Sequence, residues 1–223
     1  LPAMRAVHGE DGTFALEREA GGRNAVEPLA RPEHAYVLVT SGTTGRAKLA
    51  PLGHAQMLGF ADATIDLLRL TPDDVGCALT PFSLAGGVRS SILIPALSGS
   101  SVVCLGEGDV DGFFRAIDEC RPTNLAAPFS IHRGVLRRAH AFPDQVAASR
   151  LRFLRTTAGR LDPDEIDAIE RLFRAPVLQG YGSTEVCGIA HEPMPPRPRK
   201  RGSVGIALGG DVQAVDPDGR RCA

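Results

Sequence analysis

From residue 75 to residue 179 the chain repeats one unit, a short apolar run followed by an amphipathic stretch with helical spacing. Strands are expected at 77–80, 101–105, 124–127, 153–157 and 177–179, with helices at 88–97, 110–120, 131–139 and 163–173 between them. Strands separated by helices cannot pair as tight hairpins. Each helix carries the chain back along the sheet, so the strands run parallel and the helices cover its faces. The expected fold is therefore α/β, a mostly parallel sheet flanked by helices. The clearest helix start is Asp162-Pro163-Asp164-Glu165, an acid at the cap, a proline in the first turn and a carboxylate three residues after the cap. Ile166, Ile169, Leu172 and Phe173 follow it on one face.

The flanks read differently. Residues 1–34 show no clear period apart from a short strand at 13–16, so an irregular lead-in is expected. Residues 36–39 are an apolar run, 48–51 a return strand, and 54–70 an amphipathic helix carrying Met57, Phe60, Ala61, Thr64, Ile65 and Leu68. The alternation stops near Gly180. Residues 193–201 form a proline-rich basic loop, and 205–221 read as strands joined at the turn Asp216-Pro217-Asp218-Gly219. The expected division is a lead-in at 1–34, an α/β core at 35–192, and a loop with the start of a β-rich part at 193–223.

Composition narrows the function. A net charge of -1 gives no general attraction to nucleic acid or anionic lipid, so any anion must be held locally. The longest apolar stretch, 91–97, is too short to span a bilayer and is broken by Pro95. Residues 1–5 show no export signal, and five scattered cysteines lack any Cys-x-x-Cys spacing; reduced thiols and a cytoplasmic location are expected. Four basic residues fall among 197–201; the near-zero net charge and the intervening prolines favour a solvated loop over a nucleic-acid patch. His54, at a helix start, reads as a capping or packing residue, and Cys187 as a small buried side chain.

Two segments carry chemistry. The first is Thr40, Ser41, Gly42, Thr43, Thr44, Gly45, then Arg46, Ala47 and Lys48. Glycines let consecutive N–H groups converge on anionic oxygens, hydroxyls add donors, and Lys48 adds charge. Two residues between Gly42 and Gly45, and Leu49 after Lys48, exclude a Walker loop. Taken alone, the segment suits an ordinary turn as well as a polyphosphate cradle. The second is Gln179, Gly180, Tyr181, Gly182, Ser183, Thr184 and Glu185, at the exit of a strand, where ligands of open α/β sheets gather. Thr184 and Glu185 offer hard oxygens of the kind Mg²⁺ prefers; the plain alternative is a strand exit with a surface glutamate.

Together the two segments resemble the adenylate-forming superfamily, which includes acyl-CoA synthetases, aryl-CoA ligases, luciferases and the adenylation domains of nonribosomal peptide synthetases. The resemblance runs from Tyr36 to Gly219. It includes His54, the segment 81–87 beside the acyl pocket, the adenine-contacting segment 154–161, and Gly202-Ser203-Val204-Gly205. The basic proline-rich stretch before that last motif looks most like the CoA-ligase branch, including oxalate-type ligases.

The resemblance implies part of the large N-terminal domain of such an enzyme. It also implies a two-step reaction in which a carboxylate attacks the α-phosphorus of ATP, and a thiol, usually of coenzyme A, then displaces AMP. On this basis Ser41, Gly42, Thr43, Thr44 and Gly45, with Thr40, would hold the β- and γ-phosphates, and Lys48 would offset their charge. Glu185 would bind Mg²⁺, Thr184 would lie near the α-phosphate and Tyr181 beside the adenine, with Ala158, Gly159 and Arg160 lining the purine. Gln179, Gly180, Gly182 and Ser183 complete the nucleotide segment, and Leu84 and Phe129 shape the acyl pocket. The expected partners are a small carboxylic acid and CoA. A carrier protein is the alternative acceptor, and a catalytically silent nucleotide- or acyl-binding module is an alternative of another class. Ala47, Leu49, Leu84 and the pair Gly159-Arg160 depart from the family pattern. The ribose-gripping aspartate, hinge and small lysine-bearing domain of the family are not found, so the chain is expected to be the central part of a larger enzyme, adenylating slowly or not at all by itself.

Overall fold

The computed structural model describes residues 4–8, 14–18, 33–40, 48–210 and 212–222. Its centre is a seven-stranded sheet. Strands β1 (Met4–His8) and β2 (Phe14–Arg18) pair antiparallel, as do β3 (His34–Thr40) and β4 (Lys48–Gly53). Helix α1 (His54–Leu68) follows, then β5 (Val75–Ala78). A single helical rod is built from α2 (Ala85–Val88), a π turn (Arg89–Leu93) and α3 (Ile94–Ser98). Then come β6 (Ser101–Cys104), α4 (Val110–Cys120), β7 (Asn124–Pro128), α5 (Phe129–Arg138), α6 (Pro143–Ala148) and β8 (Phe153–Thr157). The last elements are α7 (Pro163–Phe173), β9 (Val177–Ser183), β10 (Cys187–His191) and β11 (Ile206–Ala207).

Strand order in the sheet is β11-β10-β9-β8-β7-β5-β6. β6, β5, β7, β8 and β9 are mutually parallel, while β10 and β11 add antiparallel strands at one edge. The parallel part follows from the alternation of runs and helices in the sequence. The π turn precedes Pro95, which has no N–H to return to the preceding turn, so the ladder there widens. Helix α7 begins as its sequence predicts: Glu165 Oε2 accepts the Asp162 N–H at 2.9 Å. The same carboxylate also takes a bidentate pair from Arg133 at 2.6 and 2.9 Å.

Strand period two assigns neighbouring residues to opposite cores. Leu154 and Val177 join the main cluster with Phe113, Phe114 and Ile117 of α4 and Ile169 and Phe173 of α7. Phe153 and Leu178, one residue along, pack instead with Leu68 of α1. A third cluster joins Leu38 and Leu52 of the β3–β4 hairpin to Met57 of α1 and Cys187 of β10. That contact seats the hairpin beside the antiparallel edge.

Asp74, 2% exposed, ties three segments together before β5. Its carboxylate accepts from the Thr71 N–H at 2.9 Å, the Thr123 hydroxyl at 2.6 Å and Arg152 Nη1 at 2.6 Å. Burial would raise its pKa, but these donors outweigh burial and hold it below the usual carboxylate value. Because the folded-state pKa is depressed, Asp74 stabilises the fold above the unfolded value of 3.8 and loses that contribution as pH falls below it. Asp74→Ala leaves the Thr71 N–H and the Thr123 hydroxyl without their acceptor and the partly exposed Arg152 without its acid, and is expected to cost about 2 kcal/mol in urea unfolding. The difference between the variant and the unsubstituted chain should shrink as the titration moves to acid; a constant difference would rule out the ionised pair as its source.

Candidate functional site

Strand β9 leaves the parallel sheet, turns at Thr184 and Glu185, and returns as β10. The turn is tight because Gly182 lies against the Cys187 carbonyl, where a Cβ has no room. The β3–β4 hairpin lies beside it. Thr40 and Lys48 face each other at the open end of that hairpin, and the Thr40 hydroxyl donates to the Lys48 carbonyl at 3.3 Å. The connecting residues Ser41, Gly42, Thr43, Thr44 and Gly45 lie outside the described residues, but their two anchors are fixed opposite one another.

The hairpin side and the β9–β10 turn are bonded directly. Gln56 Nε2, in the first turn of α1, donates to the Glu185 carbonyl at 2.6 Å. The Glu185 carboxyl is held below its ordinary pKa, first by its own backbone N–H, then by the Ser183 hydroxyl, against a small opposing effect of burial, and further by the charge of Lys48. The Ser183 oxygen in turn accepts the Val186 N–H at 3.3 Å. Lys48 and Glu185, 137 positions apart in sequence (185 minus 48), thus act on each other electrostatically, and both are exposed.

Beside this turn opens a cleft of about 320 Å³. Gly180, Tyr181, Gly182, Ser183 and Thr184 line one wall with Ala158; Leu84 and the start of the helical rod line the other. Ala158, at φ 60, and Gly159, at φ 151, turn the chain sharply off β8. Gly159 lies directly on the Phe129 ring, which leaves no space for a side chain. Phe129 itself is not among the residues lining the cleft; it supports the turn from below, with Arg133 5.1 Å over its ring. Gln179 and Arg160 line a second, smaller cavity of about 170 Å³ on the α7 side, since Gln179 and Gly180 point to opposite faces of β9. The structure therefore gathers Leu84, Ala158 and residues 180–184 around one cleft, sets Glu185 at the adjoining turn within reach of the charge of Lys48, with Thr40 opposite Lys48, and holds Gln179, Arg160 and Phe129 apart from the cleft.

The deepest wall of the cleft was not anticipated. Arg155, in the middle of β8 and 5% exposed, donates through Nε to His191 Nε2 at 2.8 Å and through Nη1 to the Ser90 hydroxyl at 3.0 Å. His191 Nδ1 lies 2.6 Å from the Glu192 carbonyl, which can only accept, so the proton sits on Nδ1 and Nε2 is free to receive Arg155. Arg89, 9% exposed, lies on the first turn of the π segment. The guanidiniums of Arg89 and Arg155 lie 5.3 and 5.9 Å from the Phe60 ring centroid. An arginine within the strand Phe-Leu-Arg-Thr-Thr was the available signal. Its partners come from β10 and the helical rod, remote in sequence.

Residues 5–223 match the family of AMP-binding enzymes, and the chain belongs to that family. It is 28% identical to an oxalate–CoA ligase of Arabidopsis thaliana over 88% of this chain and 39% of the relative. It is 32% identical to an indoleacetate–CoA ligase of Aromatoleum aromaticum over 86% of this chain and 38% of the relative. The crystal structure of apo MatB from Rhodopseudomonas palustris superposes with a TM-score of 0.78 at 25% identity, covering 98% of this chain and 43% of that one. The chain thus spans about two fifths of the length of these relatives. The Arabidopsis and Aromatoleum relatives are CoA ligases that differ in their acids, and the parallel sheet flanked by helices corresponds to the N-terminal domain of adenylate-forming enzymes. Among the described residues no helix is long and apolar enough to cross a membrane.

Burial, and then the charge of Arg155, push the His191 pKa from 6.5 down to about 3. The unfolded chain therefore binds a proton that the folded one refuses, and stability falls as pH drops from 6.5 towards 3. Nitrogen-detected NMR is expected to show His191 as the neutral Nδ1–H tautomer throughout mildly acidic pH; titration of the ring near its ordinary value would contradict the Arg155 contact.

Proposed function

We propose that this chain provides the nucleotide- and acyl-binding part of an ATP-dependent acid–thiol ligase of the acyl-CoA synthetase type. The observation that carries the reading is the β9–β10 turn, where the Glu185 carbonyl is held by Gln56 of α1 and its carboxylate feels the charge of Lys48, beside a cleft lined by the β9 exit. Residues 35–192 would form the α/β core of the site and residues 193–223 the start of a β-rich part. Membership of the AMP-binding family and kinship with CoA ligases support it.

On this reading Thr40 and Lys48 fix the ends of a loop whose Ser41, Gly42, Thr43, Thr44 and Gly45 hold the β- and γ-phosphates. Lys48 is a cation that stays with the leaving pyrophosphate, so it lowers the barrier only as negative charge builds there. Thr184 offers a hydroxyl to the α-phosphate. Tyr181, 56% exposed, presents its ring to the adenine, with Ala158 and Gly159 along its edge, while Arg160, on the α7 side, stands away from it. Gly180 and Gly182, with Ser183, let backbone approach the ligand closely, and Leu84 borders the acid. Gln179 serves from behind, on the α7 side of the strand.

Mg²⁺ fits the donor set of this turn. Glu185 is ionised and exposed, and a Mg²⁺ site needs only one or two carboxylates when phosphate oxygens and water complete it. When bound it would neutralise phosphate charge and polarise the phosphorus, with Glu185 holding it. The chain's own residues orient the nucleotide and counter its charge; phosphoryl chemistry asks for little else. CoA is the acceptor that the relatives' names favour. The reduced thiols of five free cysteines suit a cytoplasmic setting.

Calorimetry with ATP and Mg²⁺ tests the reading. Lys48→Met and Glu185→Gln are each expected to weaken ATP binding about tenfold, the equivalent of about 1.4 kcal/mol. AMP, which lacks the β- and γ-phosphates, should be affected less by Lys48→Met. Failure of the unsubstituted chain to bind either nucleotide would refute the proposal.

A further inference from the structure

Helix α1 does not use its third residue for itself. Gly53 stands at its N-cap with no side chain to cap the first N–H groups, and Gln56 occupies the third helical position. From that position a glutamine ordinarily folds back onto the backbone of the cap. Here the side chain reaches outward instead, and Nε2 donates to the Glu185 carbonyl at 2.6 Å. A carbonyl can only accept, so the amide nitrogen is the atom that faces it.

The two ends of this bond are unequally fixed. Helix α1 buries Met57, Ala61, Thr64, Leu67 and Leu68, and it follows β4 with no loop between, so Gln56 moves as one piece with Lys48 at the start of that strand. The hairpin is also pinned near its base, where the Tyr36 hydroxyl donates to the Phe82 carbonyl at 3.2 Å. The turn is held more sparingly. The ladder between β9 and β10 closes at Ser183 and Cys187, which leaves Thr184, Glu185 and Val186 beyond it. Inside the turn the Val186 N–H donates to the Ser183 oxygen at 3.3 Å, and behind it Cys187 packs with Met57. Among the described residues no other hydrogen bond reaches the turn from outside β9 and β10.

We propose that Gln56 is a positioning residue for the nucleotide site: by holding the Glu185 backbone to the piece that carries Lys48, it keeps the metal-holding carboxylate and the phosphate-facing cation in register. This rests on the proposed role of Lys48 and Glu185 and goes beyond it, since Gln56 lies outside both motifs and acts only through Glu185. Groups that must share one ligand lose much of their effect when their spacing drifts, because coordination and charge interactions both fall steeply with distance. The plain alternative is a bond that serves the fold alone. Its loss would then weaken every ligand equally, or none.

The test is calorimetry with ATP and Mg²⁺, with ATP and the metal chelated, and with AMP, on the unsubstituted chain, Gln56→Met, Glu185→Gln and the double variant. Gln56→Met keeps the side-chain length without a donor. It is expected to weaken ATP binding about fivefold when Mg²⁺ is present, the scale of one neutral hydrogen bond, and to leave metal-free ATP and AMP within about twofold. In the Glu185→Gln background the same substitution is expected to cost no more than about twofold, because no carboxylate is left to position. Both side chains are exposed, so the urea midpoint of Gln56→Met should stay close to that of the unsubstituted chain; Gln56→Asn, one carbon short of the carbonyl, repeats the comparison should Gln56→Met not fold. An equal loss in both backgrounds, an equal loss for all three ligands, or no loss at all would overturn the proposal. So would ATP binding that Mg²⁺ does not strengthen in the unsubstituted chain. Metal-strengthened ATP binding that is indifferent to Gln56 defeats this inference alone, whereas an unsubstituted chain that binds no nucleotide defeats the proposed function and this inference with it.

Discussion

The alternation of side chains along β8 and β9 is the constraint on which the rest of this molecule depends. Leu154 and Val177 belong to the core under α4 and α7, so Phe153 and Leu178 must face α1. The same parity puts Arg155 and Gly180 on the α1 side and Gln179 on the other. A single slip in register would bury Thr156 beneath the cleft and turn Arg155 into the larger hydrophobic core, which has no acceptor to offer it. The apolar residues on both faces thus lock the polar ones into place, and the site inherits its geometry from the packing.

Much of the scaffold could be read directly from residues. Helices α4 and α7 and strand β8 occupy the spans their patterns predict, because each combines a strong period with unambiguous ends, such as Asp162-Pro163. The helical rod at 85–98 begins earlier than expected since Ala85, Gly86 and Gly87 give no periodic signal, and Gly87 is there for its close approach to the Pro81 carbonyl. Strand β10 was invisible for a related reason: Cys-Gly-Ile-Ala-His is short, and its register slips between Gly188 and Ala190. Helix α6 is one and a half turns with no buried residue, too little for a periodicity argument. The lead-in pairs as β1 and β2, although only part of β2 carried a strand pattern.

The site was legible in a different way. The Thr40–Lys48 and Gln179–Glu185 segments stood out by residue type, and the structure sets their described parts side by side through Gln56 and Lys48. The arginine wall was not legible, because nothing local distinguishes a buried arginine from an exposed one. Its meaning depends on what surrounds it: Ser90 lies 65 positions away and His191 lies 36 away. Chemistry written in contiguous motifs survives reading in one dimension, whereas chemistry assembled across the sheet does not.

The bond from Gln56 to the Glu185 carbonyl spans 129 positions of sequence. Every strand of the parallel sheet between them must be laid down before the two ends can meet, and the entropy of closing so long a loop is recovered only then. On a ribosome, the hairpin and α1 emerge well ahead of the segment they are to touch. The apolar side of Leu38, Leu52 and Met57 must wait, uncovered, for Cys187. The opening through which a small ligand enters therefore cannot close before the end of β9 has emerged, and in that interval the nascent chain exposes a surface prone to inappropriate association.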